Sequence, residues 1–233
     1  MLILAFETSA KAASAALLRD GILLGESYQN TGLTHSQTLL VMAQDLLKQC
    51  GLTVRDVTHV AVAEGPGSFT GIRIGVAAAK GLSWGGQLPL AGVSTLEAMA
   101  VGLGAYEGIV CPVMDARRSQ VYNALFRAEG GKLTRIAPDR AISLEELGKE
   151  LAELPGPVFL VGDGSYVTHK ALPNTVLPPE HRLHQRAAGV ALVAAEKISS
   201  GESCDGAALV PNYLRLSQAE RERLERQKNK IFT

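Results

Sequence analysis

Glu7-Thr8-Ser9 ends the first apolar run of the chain. A carboxylate followed by two hydroxyls at a strand end can hold a metal ion and the phosphates around it. Loops that do this usually add glycine, which lets backbone approach the phosphate; here Ala10 and Lys11 follow. A second candidate is Gly65-Pro66-Gly67-Ser68-Phe69-Thr70-Gly71, which leads from an apolar run into a helical pattern. The N–H groups at such a helix start can meet an anion. It is no phosphate loop of the Gly-Lys-Ser/Thr kind, because Gly71 is followed by Ile72 and Arg73. Nor is it G-x-G-x-x-G, because Thr70 stands at the third glycine. With no basic residue in the turn, a tight structural bend is the favoured reading. Glu7, Thr8, Ser9, Gly65 and Gly67 remain weak candidates for nucleotide contact.

Of the five histidines, His35, His59, His169, His181 and His184, only the last two are close. They form H-x-x-H in a proline-rich loop with no carboxylate or cysteine at ligand spacing, which argues against a metal site. The serine-hydrolase elbow G-x-S-x-G is absent; Gly162-Asp163-Gly164-Ser165-Tyr166 has its serine one place late.

The elements that must position these residues follow from periodicity. Residues 2–6, 13–18 and 22–28 read as three strands, with a glycine turn at Arg19-Asp20-Gly21. From His35 to Cys50, Leu39, Leu40, Met42, Ala43, Leu46, Leu47 and Cys50 recur at helical spacing. Their arc of roughly 160° exceeds the ~100° stripe of a surface helix. Residues 57–63 read as a buried strand. Ser68 is placed to cap a helix over about 69–84, whose only charges are Arg73 and Lys80, seven residues apart. A helix apolar nearly all round must be covered nearly all round. Glycine in a helix costs about 1 kcal/mol relative to alanine. Gly71, Gly75 and Gly81 are therefore expected where other backbones approach closely, and this helix is expected to pack on its own sheet and on another chain.

A strand at 88–93 and a capping box at Ser94-Thr95-Leu96-Glu97 follow, with a lobe boundary near residue 103. The second half repeats this arrangement, with strands at 109–114, 120–127 and 133–137, a capping box at Ser143–Glu146, a strand at 158–161 and an apolar helix at 185–200. Two α/β lobes, 1–103 and 104–215, are expected. The tail from 216 to 233 reads as an exposed charged helix and as a candidate to pack on the first lobe.

A composition of 46% hydrophobic and 20% charged residues excludes a disordered chain. Net charge is zero, whereas a protein that grips nucleic acid alone carries a basic excess; any link to RNA is indirect. Cys50, Cys111 and Cys204 are scattered, which fits reduced thiols in the cytoplasm. Leu2–Phe6, interrupted by Glu7, reads as a strand and not as a signal peptide. No run of ~18 uncharged apolar residues exists to cross a membrane.

Five segments carry a family resemblance: Phe6-Glu7-Thr8-Ser9; Thr34-His35-Ser36; Gly65-Pro66-Gly67-Ser68-Phe69-Thr70-Gly71-Ile72-Arg73-Ile74-Gly75; Asp115-Ala116-Arg117-Arg118-Ser119-Gln120-Val121-Tyr122; and Tyr213-Leu214-Arg215. In order and spacing they resemble the TsaB (YeaZ) family over nearly the whole chain. The resemblance implies a two-lobed actin-like, sugar-kinase-like (ASKHA) α/β fold. It implies a non-catalytic subunit in tRNA threonylcarbamoyladenosine synthesis, paired with a TsaD-type transferase and joined by a TsaE-type ATPase. The catalytic relative carries H-x-x-x-H where this chain has Thr95 and Met99, and a hydroxyl and a thioether hold a divalent metal poorly. No catalytic residue, metal or tightly bound cofactor is therefore expected here; ATP and a divalent metal belong on the partner subunits. Pairing is implied through the helices at 35–50 and 69–84, with Leu39, Met42, Leu46, Ile72, Arg73, Val76, Ala79 and Lys80 as interface residues. Roughly 800 Å² per partner would be buried, homodimers could use the same surface, and tRNA is reached only indirectly. The alternative is a stand-alone ATPase, kinase or peptidase-like enzyme using Glu7, Thr8, Ser9 and the 65–71 loop.

Overall fold

The computed structural model describes residues 1–202 and 205–215. The chain builds the same motif twice. Strands β1 (Leu2–Glu7), β2 (Ala13–Arg19) and β3 (Ile22–Gln29) form an antiparallel meander. Helix α1 (His35–Gln49) leads to β4 (His59–Gly65), which pairs parallel with β1. Helix α2 (Phe69–Gly86) leads to β5 (Leu90–Ser94), giving a sheet of order β3-β2-β1-β4-β5. Helix α3 (Thr95–Val101) connects to the second half. There β6 (Gly108–Asp115), β7 (Gln120–Glu129) and β8 (Lys132–Ser143) repeat the meander. After α4 (Leu144–Ala152), β9 (Val158–Val161) pairs parallel with β6, and the order is β8-β7-β6-β9. Helices α5 (Ser165–Ala171) and α6 (Ala187–Ser199) complete the described chain.

β1 is buried at every position because helices cover both faces of its sheet. That is why it reads as an unbroken apolar run and not as an alternation. Leu4, Phe6 and Leu17 face α1 and α2, whose Leu39, Leu46, Ile72 and Val76 close one core. Ile3, Ala5 and Leu18 face α6, which brings Val190, Val193 and Ala194. Burying each such large aliphatic side chain contributes roughly 1.5–3 kcal/mol. The boundary drawn from sequence is thus corrected for α6: residues 187–199 come late in the chain but pack on the first sheet. Helix α3 lies between the sheets, with Ala98 on the α6 side and Leu96, Met99 and Leu103 against Val110, Phe126 and Val161. Helix α4 covers the outer face of the second sheet through Leu147 and Leu151.

The caps fall where the side chains predict. The Ser68 hydroxyl accepts from Gly71 N–H at 3.2 Å, and Ser143 with Glu146 makes a reciprocal box. At α3 the Ser94 hydroxyl accepts from Glu97 N–H. The Glu97 carboxylate turns instead to Arg135 at 2.7 Å. Strand β8 runs on to Ser143 past Pro138, which an edge strand tolerates. The charged tail expected as a helix lies outside the described residues.

Candidate functional site

Two features bear on function: the cleft between the sheets and the outward face of α1 and α2. The cleft holds about 530 Å³ and is lined by Ser9, Lys11, Ser68, Arg117, Asp163 and Arg215, among others. Four of the five motif segments line it, and the fifth reaches its edge through His35. His35 Nε2 lies 2.8 Å from Ala10 O. Tyr213 stacks on Phe69 with ring centroids 4.7 Å apart, and Arg215 donates to Ala116 O at 2.6 Å.

The glycine loop closes onto the β1–β2 turn. Ser68 N–H donates to Ser9 O at 2.6 Å, and the Thr8 hydroxyl donates to Gly71 O at 2.8 Å. Gly67 has φ +155°, and a Cβ there would stand 2.4 Å from Ser9 O. A Cβ on Gly65 would stand 2.4 Å from Asn212 O. Farther along the helix, a Cβ on Gly71 would lie 2.1 Å from Thr8 O, and one on Gly75 would lie 2.3 Å from Thr8 Oγ1. Gly65, Gly67 and Gly71 admit the chain's own backbone and Gly75 admits the Thr8 hydroxyl, so the structural reading of this loop accounts for each of them. Thr8, Ser9, Gly65 and Gly67 do come together beside the cleft; the Thr8 hydroxyl and the Ser9 carbonyl are taken up by the glycine loop, while the Ser9 hydroxyl has no partner.

Glu7 lies beneath this turn at 1% exposure. Its Oε1 accepts from Ser9 N–H at 2.5 Å, and Oε2 has no partner. Burial pushes its carboxyl up to about 7; the Ser9 hydroxyl and N–H oppose that, and the Asp163 charge adds to it. Asp163, across the cleft, is also raised by burial, against the Gln185 donor at 2.9 Å. Asp163 lines the cleft and Glu7 lies beneath its β1–β2 turn, and burial favours the neutral form of both carboxyls. Sequence reading singled out Glu7 but missed Asp163, whose only signal was the Gly162-Asp163-Gly164 strand end. Thr95 and Met99 are 0% and 4% exposed and belong to the packed interior, Met99 beside Leu96 and Leu103. Among the described residues no cluster of three or more His, Cys, Asp or Glu is placed to hold a metal.

On α1 and α2 the structure changes the residue assignment. Leu39, Met42, Leu46, Ile72, Val76 and Ala79 are all at or below 5% exposure, packed in the first lobe's own core. Of the eight interface residues expected from sequence, only Arg73 and Lys80 reach the surface, Arg73 exposed and Lys80 in part. The period revealed how wide the apolar arc is, but not which part of it the sheet takes. Left outside are Leu40 and Val41 on α1, each half exposed, and Ala77, Gly81 and Trp84 on α2. Trp84, at 72% exposure, is the most exposed large apolar side chain among the described residues. A separate apolar groove of about 670 Å³ is lined by Leu40 and Leu47 of α1, Leu52 and Val54 after it, and Leu82 of α2.

These features define a two-lobed protein of the actin-like, sugar-kinase-like class. Component A of (R)-2-hydroxyglutaryl-CoA dehydratase from Acidaminococcus fermentans shares the fold with a TM-score of 0.51 at 13% identity, covering 85% of this chain and 99% of that one. YeaZ from Pseudomonas aeruginosa superposes with a TM-score of 0.75 at 27% identity, over 91% of this chain and 99% of that one. The family model for TsaD, tRNA N6-adenosine threonylcarbamoyltransferase, matches residues 29–223. The tRNA threonylcarbamoyladenosine biosynthesis protein TsaB of Bacillus subtilis is 35% identical over 98% of this chain and all of its own length. That of Escherichia coli is 37% identical over 70% of this chain and 72% of its own length. The chain belongs to the TsaB (YeaZ) family.

Proposed function

We propose that this chain is a TsaB-type subunit of tRNA threonylcarbamoyladenosine biosynthesis that works by docking onto a TsaD-type transferase, without a reaction centre of its own. The observation that carries the docking is the outward face of α2, where Trp84 stands exposed beside Ala77 and Gly81. Aromatic side chains next to small ones form the anchors and seats of protein interfaces. The absence of a reaction centre is supported by Thr95 and Met99, whose side chains are enclosed in the core and offer poor metal donors. ATP and a divalent metal would then act on the partner subunits, with a TsaE-type ATPase joining and tRNA reached through them. Two copies of this chain could pair through the same face when the partner is missing. No helix among the described residues is long and apolar enough to cross a membrane, and the proposed place of work is the cytoplasm.

Trp84→Ser tests the docking. The side chain is exposed, so the unfolding midpoint should hold. Pairing with the TsaD-type protein should weaken at least ~10-fold, the loss of about 1.4 kcal/mol expected on removing an anchor. Unchanged co-elution would sink the proposal. Nucleotide or peptide hydrolysis by the purified chain alone would favour the enzyme alternative.

A further inference from the structure

The outward stripe of α2 also carries charge of one sign. At 100° per residue, Arg73, Ala77, Lys80, Gly81 and Trp84 fall within an arc of about 100°. From Phe69 to Gly86 the helix contains no acidic residue. Arg73 and Lys80 form no ion pair among the described residues. On the neighbouring face of α1, exposed Asp45 and Lys48 offset each other. Arg73 is also held in place. Its guanidinium sits 3.8 Å from the Phe69 ring centroid, and its Nε donates to the Tyr213 hydroxyl at 2.9 Å. A guanidinium has five N–H donors in a planar fork suited to a carboxylate, and most of this one remains available to a partner.

We infer that the surface docked on α2 is an acidic helix, with carboxylates about two turns apart facing Arg73 and Lys80 and an apolar pocket of its own that receives Trp84. This rests on the docking reading above and names the chemistry of its partner. A helix rises 1.5 Å per residue, so the two cations stand about 10 Å apart along the axis, a spacing that carboxylates seven residues apart match. A second copy of this chain would bring another α2 without acids, so like charges across that interface make it the weaker competitor when the acidic partner is present.

The test measures binding of the full chain to the TsaD-type protein at 50 and 500 mM salt. Wild-type affinity should fall about tenfold or more as salt rises. Lys80→Glu, which leaves the Phe69–Arg73–Tyr213 stack untouched, should bind less tightly at low salt. Arg73→Glu with Lys80→Glu should bind at least ~10-fold more weakly at low salt and recover as salt screens the repulsion. If Trp84→Ser disrupts pairing while both charge reversals leave it unchanged, the acidic helix is ruled out and the docking face stands. If none of the three changes matters, both fall. Self-association that outcompetes the partner at low salt would also overturn the inference.

Discussion

The two halves of α2 use the same residue for opposite reasons. In the first half, Gly71 and Gly75 press against Thr8, where a Cβ would stand 2.1 and 2.3 Å from its oxygens. In the second half, Gly81 and Gly85 have no atom within 4 Å of where a Cβ would be. Each glycine weakens the helix by roughly the same ~1 kcal/mol. In the first half the chain's own architecture requires it: the helix start must lie against the β1–β2 turn. In the second half nothing within the chain requires it, and the bare backbone faces outward between Ala77 and Trp84. A glycine in a helix therefore points to close approach, but only the structure says whether the approaching backbone belongs to the same chain.

The largest expected effect tests the first half. Gly71→Ala places a methyl against the Thr8 carbonyl, and neither backbone can move without disturbing the turn, so the loss should be about 3 kcal/mol. Against a total stability of ~5–15 kcal/mol, that shifts the urea midpoint strongly. Gly75→Ala meets a side-chain oxygen instead. Adding Thr8→Ala to it should recover part of the loss, apart from the hydrogen bond that Thr8 gives to Gly71 O. Midpoints for Gly71→Ala and Gly81→Ala that moved together would dissolve the contrast between the halves.

Next in size is the carboxyl beneath that turn. Glu7 is raised from 4.5 to about 7 in the folded chain. Between those values the unfolded chain releases the proton while the folded chain keeps it, so stability falls as pH rises and levels off above about 7. With 1.36 kcal/mol per pH unit, the full loss is of order 3 kcal/mol. Glu7→Gln keeps an acceptor for Ser9 N–H and removes the titration. Unfolding measured at pH 5 and pH 8 should show wild type losing stability that the variant retains. Parallel pH curves would mean that Glu7 is hydrated and the turn looser than the close contacts imply.

Much of this was legible in the sequence. Length, turn glycines and the change of period from two to 3.6 fix the paired lobes, because each step depends only on local backbone rules. The caps at Ser68 and Ser143 were readable for the same reason. Thr95 and Met99 could be singled out by residue type only through the family resemblance, and the structure encloses both in the core. The helix faces were not readable. Leu39 and Leu40 are neighbours in sequence, yet one is 1% and the other 51% exposed, a split set by where β1 and β2 lie. The return of α6 to the first sheet was hidden too, since its small residues fit any apolar surface. Beyond its strand-end glycines, Asp163 was hard to single out because its charge acts on Glu7 from 156 positions away in the chain.

The smallest effect is the sharpest test of the second half. Gly81→Ala adds a methyl where no neighbour stands, in a helix interior that favours alanine. The isolated chain should gain about 0.5–1 kcal/mol, raising Tm by roughly 2 °C for a domain of this size. The same methyl stands on the stripe shared with Ala77 and Trp84, so pairing with the TsaD-type protein should weaken. A chain that becomes more stable as its complex becomes less so would show that Gly81 serves the partner's approach and not the fold. A fall in stability would instead mean that the space around Gly81 is already occupied within the chain, and that both halves of α2 answer to one constraint.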